Sequence, residues 1–113
     1  LNERDGEGGR VSKYRAVPTI VDGIRFASKK EARRYRELKL LEKAGEIKDL
    51  ELQKKYSLLV AGSKVGVYIA DFVYQEKGND FLTVEDVKGV RTPVYRLKKK
   101  IFEAMYRIEI RET

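Results

Sequence analysis

The chain has no cysteine and no histidine among its 113 residues. Zinc fingers and other zinc sites built on thiolates or imidazoles are therefore excluded. Disulfides are excluded too, which is compatible with a reducing compartment. Cys–His and Ser–His–Asp catalysis cannot operate without those side chains. Any catalysis falls to carboxylates, lysine, tyrosine and a metal held by oxygen. No apolar run approaches the roughly 20 residues that span a bilayer, so no membrane partner is expected. The first residues are charged and glycine-rich and do not read as a signal peptide. A start at Leu1 rather than Met leaves room for residues upstream.

What is present is charge. Apolar residues make up 42% and charged residues 38%, with a formal net charge of +7 and an isoelectric point near 9.6. The length fits one domain with a modest core. A basic balance of this size favours a polyanion as partner, nucleic acid first. The plainer alternative is a solvated basic face.

Residues 1–13 carry Gly6, Gly8, Gly9 and mixed charges without periodicity, and read as a flexible tail ahead of a domain over 14–113. Asp22-Gly23 between β-branched residues signals a type I′ hairpin within 18–26. Ser28-Lys29-Lys30-Glu31 matches a capping box, and the helix it opens runs to about Ala44, with Gly45 as its stop. Ala32, Tyr35, Leu38 and Leu41 form its apolar stripe, with Glu31 on the same face. Either the cap explains this inward carboxylate, or it points at a metal.

Three strands follow: a long or bent one over 47–60, another over 65–74 and a third over 81–88, antiparallel to its predecessor. Thr92 caps a second helix, with Pro93 at its first position. That helix runs to about Met105, with Val94, Leu97, Ile101 and Met105 as core stripe and Lys98, Lys99 and Lys100 mainly off it. Tyr106 to Arg111 alternates as a final strand. The order is hairpin, helix, three strands, helix, strand.

The chemistry concentrates at Ile69-Ala70-Asp71-Phe72 and Glu85-Asp86-Val87-Lys88. On a strand, Asp86 and Lys88 share one face, and Glu85 and Val87 the other. If the two runs are neighbours, Asp71, Asp86 and Lys88 converge. A strict hairpin sets Asp71 and Asp86 some distance apart, unless register, a bend or a bulge compensates. Two carboxylates and the Val87 carbonyl are hard oxygen donors suited to Mg²⁺, with Mn²⁺ expected to substitute. Lys88 is placed to orient or deprotonate water, or to neutralise developing charge. Glu31 is the candidate third carboxylate. Between Val87 and Phe102 the charges are all basic: Lys88, Arg91, Arg96, Lys98, Lys99 and Lys100. With Lys29, Lys30 and Arg33 on the first helix, these are the candidate DNA contacts. Tyr14, Tyr74 and Tyr95 are candidates for base stacking, or for core and edge positions.

This constellation resembles the PD-(D/E)xK nuclease superfamily, the restriction-endonuclease-like fold. The family's helix glutamate, its aspartate, and its acidic residue and lysine two apart fall on Glu31, Asp71, Asp86 and Lys88. Ala70 stands where the motif has proline. More closely, the chain resembles a small phage-encoded family of unknown function. The matching stretches are Val21 to Phe26 with Ser28 to Ala32, Gly45 to Gln53, Ile69 to Phe72, and Glu85 to Gly89. Gln53 recurs there, either beside the site or as a strand-edge hydrogen bond.

The resemblance implies an α/β fold with a central mixed sheet flanked by helices. It implies a Mg²⁺-dependent DNA endonuclease, similar to Holliday-junction resolvases, acting on branched or duplex DNA in the cytoplasm of a phage-infected bacterium. A resolvase cuts two symmetric strands, so that version implies a homodimer. The glutamine–tyrosine motif of recombination exonucleases is not evident, which weighs against an exonuclease. The alternative is a DNA-binding protein that keeps the fold with little or no cleavage. A third, an RNA-binding module, lacks the expected aromatic strand motif.

Overall fold

A computed structural model describes residues 17–113. The expected tail over 1–13, and Tyr14, lie outside the described residues. The chain divides into two compact units, the first ending at Glu37 and the second spanning Leu38–Thr113.

In the first unit, β1 (Thr19–Val21) and β2 (Ile24–Phe26) form an antiparallel hairpin. Asp22 and Gly23 have φ of 53° and 76°, the left-handed pair that a type I′ turn requires. Helix α1 (Lys29–Lys43) starts as expected. The Ser28 hydroxyl accepts from the Glu31 amide at 3.1 Å, which satisfies one of the helix's otherwise unpaired amides. Tyr35 packs against Phe26 in a tilted pair with ring centroids 4.9 Å apart and donates its hydroxyl to Asp22 at 3.0 Å. One expected stripe residue departs: Leu41 is exposed, while Ala32, Tyr35 and Leu38 are buried. Each three-residue step falls about 60° short of a full turn, so the third step carries Leu41 off the buried face.

The second unit holds a four-stranded sheet in the order β3-β4-β5-β6. Its strands are β3 (Ile47–Val60), β4 (Ser63–Glu76), β5 (Leu82–Asp86) and β6 (Arg111–Glu112). The first three run antiparallel and β6 is parallel to β5, so the sheet is mixed, as expected. Helix α2 (Pro93–Tyr106) connects β5 to β6, capped by the Thr92 hydroxyl accepting from the Tyr95 amide. It packs on β3 and β4. The core between them is Leu58, Tyr68, Ala70, Val73, Val84, Tyr95, Phe102 and Ile110. No helix among the described residues is long and apolar enough to cross a membrane.

Three expectations in this unit are corrected. The third strand, expected over 81–88, spans Leu82–Asp86, so Val87 and Lys88 lie beyond its end. The face of α2 that meets the sheet is centred on Tyr95 and Phe102, whereas Val94 and Leu97 are 63% and 60% exposed. Two rings bury more apolar area than a valine and a leucine, and they set the rotation of the helix. Lys98 and Lys99 are consequently half-buried, and only Lys100 of the three is exposed. The final strand is also shorter than the expected 106–111. The helix keeps Tyr106, Arg107 ends it with a φ of 59°, and ladder pairing begins at Arg111. Ile108 and Ile110 still pack on the core, so the alternation in this stretch reports burial rather than sheet pairing.

Strand β6 is tied across β5 by Arg111, whose guanidinium meets both Glu76 oxygens at 3.1 and 3.2 Å and donates to the Tyr74 hydroxyl at 3.2 Å. The hydrogen bond from Arg111 holds the Glu76 carboxyl below its ordinary value of 4.5. A depressed carboxyl stabilises the fold fully above the unfolded value and loses that contribution as pH falls through the folded one. Tm is therefore expected to drop on acidification below about pH 4.5, and to drop less in Arg111→Ala. Equal acid sensitivity in the two proteins would remove this pair from the account.

Candidate functional site

The register of β4 and β5 pairs Phe72 with Glu85 and Val73 with Val84. Continued by one residue, it sets Asp71 opposite Asp86. The separation expected for a strict hairpin does not arise, because β4 runs on to Glu76 and the ladder centres on the turn beyond it. The Asp71 carboxylate reaches across and accepts from the Val87 amide at 2.8 Å. Asp71, Asp86, Val87 and Lys88 thus form one cluster where β5 ends.

Strand β4 reverses its alternation here. Tyr68 and Ala70 face the α2 side, and so does Val73, which a regular strand would turn away. Opposite Asp71, Gln53 has a φ of 53°, a left-handed conformation that is uncommon for a residue with a long side chain. Its amide donates to Asp71 Oδ1 at 3.3 Å. The Gln53 backbone strain and the Asp71 contact coincide, as strained residues often do at functional sites. Gln53 therefore lies beside the candidate site.

Asp86 is buried, and both its oxygens are engaged. The Tyr68 hydroxyl donates to Oδ2 at 2.6 Å, and the Lys88 ammonium lies 2.9 Å from Oδ1. Burial first, then the hydrogen bond to Asp86 and the charges of Asp86 and Asp71, push the Tyr68 hydroxyl far up, so it stays protonated as a donor. Lys88 also sits 3.6 Å above the Tyr95 ring. The Tyr95 hydroxyl donates to Glu112 at 2.7 Å, and burial followed by that bond raises it strongly as well. Glu112 is held in turn by Arg91 at 2.8 Å. The bond from Tyr95 lowers its carboxyl most, burial opposes it, and the bond and charge of Arg91 lower it further.

Glu85 faces away from this cluster, as the alternation predicts. It is fully buried and accepts from Tyr74 at 2.6 Å and Thr113 at 3.0 Å. Tyr74 and Tyr95 are both buried, which removes them as platforms for base stacking. Sequence reasoning missed Tyr68 and Glu112 and gave Tyr95 a different role. A strict period of two puts Tyr68 and Asp71 on opposite faces, so nothing along the chain pairs Tyr68 with Asp86.

Glu31 belongs to the first unit, in the first turn of α1, where it is 7% exposed. Among the described residues no three His, Cys, Asp or Glu side chains are grouped to hold a metal ion. Of the candidate DNA contacts, Lys29, Lys30, Arg33, Arg91, Arg96 and Lys100 are exposed. Arg91 is taken by Glu112, and Lys99 lies within 3.7 Å of Glu103 and 4.0 Å of Glu112.

Comparison with known proteins gives one family and no individual relative. No curated protein and no solved structure matches the chain. A family profile matches residues 11–113, and the chain belongs to that family, DUF1064, described as a protein of unknown function.

Proposed function

We propose that the protein is a metal-dependent DNA endonuclease of the PD-(D/E)xK type, directed to branched or duplex DNA. The observation that carries this reading is the cluster at the end of β5: Asp71 bonded to the Val87 amide, with Lys88 2.9 Å from Asp86. A protein that only binds phosphates gains nothing from two carboxylates beside a lysine, since they repel the ligand.

The donor set suits Mg²⁺ or Mn²⁺. Asp71 and Asp86 bring hard carboxylate oxygens to one end of β5, and an ionised carboxylate has about four lone-pair sites. Mg²⁺ typically takes one or two carboxylates and keeps several waters, so two suffice. Asp71, Asp86 and the Val87 carbonyl would hold the ion, which supplies charge relief on the phosphate and acidifies a water. Gln53 and the Val87 amide orient Asp71, and Tyr68 orients Asp86. The Lys88 ammonium is poised to neutralise charge on the phosphoryl oxygens. Glu31 enters this reading through the resemblance alone.

The test is cleavage of labelled four-way-junction, flap, single-stranded and linear duplex DNA in Mg²⁺, Mn²⁺ and EDTA. Cutting that needs the metal supports the reading and ranks the substrates. Binding with no cutting in any metal favours the DNA-binding alternative, which the full engagement of both Asp86 oxygens also suits.

A salt titration tests the basic helix. Replacing Arg96, Lys98 and Lys100 together by alanine is expected to weaken DNA binding and flatten its salt dependence, by about one unit of slope for each phosphate no longer neutralised. Lys99→Ala is expected to change the slope less, because Glu103 and Glu112 already compete for that ammonium. An unchanged slope in the triple variant would remove α2 from the DNA footprint.

A further inference from the structure

We propose that Tyr95 is a positioning residue for Lys88, with its ring face holding the ammonium toward Asp86 and Glu112 latching the ring. This deepens the endonuclease reading and rests on it.

Lysine is a flexible four-carbon stem that samples many rotamers when untethered. Here the Lys88 side chain is 17% exposed, and its ammonium has contacts on two sides. Asp86 Oδ1 lies 2.9 Å away, and the Tyr95 ring centroid 3.6 Å away. A ring face attracts a cation without supplying an acceptor lone pair. The contact therefore steers Lys88 and leaves its protons to a carboxylate or a phosphate. The ring is held in turn. Its hydroxyl donates to Glu112 at 2.7 Å, and Arg91 clamps the other Glu112 oxygen at 2.8 Å. The run Arg91–Glu112–Tyr95–Lys88–Asp86 joins the loop before α2, the last strand and the candidate site. Such pre-set geometry is worth most where charge develops during reaction, so its loss falls on turnover more than on substrate binding.

The experiment compares Tyr95→Leu, Tyr95→Phe and Glu112→Ala with the parent. Steady-state cleavage is followed by ring-current shifts of the Lys88 side-chain protons in NMR spectra of ¹³C-lysine-labelled protein. In Tyr95→Leu, kcat is expected to fall roughly tenfold with KM within about twofold, and the upfield Lys88 shift to vanish. Tyr95→Phe keeps the ring and is expected to restore kcat to within about threefold and to keep the shift. Glu112→Ala removes the latch and also releases Arg91 and Lys99, but keeps the ring, and is expected to match Tyr95→Phe. A parent without a Lys88 shift overturns the contact, whatever the activity. A Tyr95→Leu protein with parental kcat, or a Tyr95→Phe protein as slow as Tyr95→Leu, overturns the positioning role. A parent that cuts no DNA sinks the endonuclease reading and the catalytic role together, while the shift still decides the contact.

Discussion

Asp86→Ala is expected to lower metal-dependent cleavage by roughly a thousandfold while leaving DNA binding equal to or tighter than the parent's. The loss follows from the position of Asp86 in the proposed site, opposite Asp71 and 2.9 Å from the Lys88 ammonium. The retained or tighter binding follows from removing a negative charge beside the phosphates. Alanine also takes the acceptor from Tyr68, whose hydroxyl donates to Asp86 at 2.6 Å. A buried hydroxyl left unsatisfied costs about 1–3 kcal/mol, so the alanine protein is expected to melt earlier. Asp86→Asn separates the two effects. It keeps an acceptor for Tyr68 but not the carboxylate charge, so it should melt closer to the parent and still fail to cut. Cleavage and filter binding on one junction substrate, with melting curves, read out all three proteins. Parental cleavage by Asp86→Asn would show that the site is misassigned.

The largest stability effect is expected at Phe102. Its ring is fully buried and lies 5.0 to 5.1 Å from the rings of Tyr56, Tyr68 and Tyr106. Phe102→Ala removes the centre of that cluster, at a cost of about 3–5 kcal/mol. Small domains have roughly 5–15 kcal/mol in total, so the variant is expected to be partly or largely unfolded near body temperature. Urea and thermal unfolding measure it, and a loss under about 1 kcal/mol would mean that α2 does not pack as described. Leu97→Ala is the contrast. Periodicity marks Leu97 as core, yet it is 60% exposed, so the effect of truncating it is expected to stay within about 0.5 kcal/mol.

That contrast shows which parts of the fold the chain declares locally. The Asp22-Gly23 turn, the Ser28 cap and the Thr92-Pro93 start of α2 each depend on residues within about four positions, and each forms where expected. The opposite faces of Glu85 and Asp86 follow from the strand period alone. The sequence by itself determined the element order and the two helix starts. Tertiary structure decided the rest. Which face of α2 is buried depended on where two rings fit against β3 and β4, which a count of apolar positions does not weigh. The last strand was cut to Arg111–Glu112 because Tyr106 stayed in the helix, stacked on Phe102. Tyr68 met Asp86 across 18 residues only because β4 breaks its alternation at Asp71, opposite a left-handed Gln53. Contacts of that separation are set by competition among whole packings, and no short window of sequence contains the competing partners.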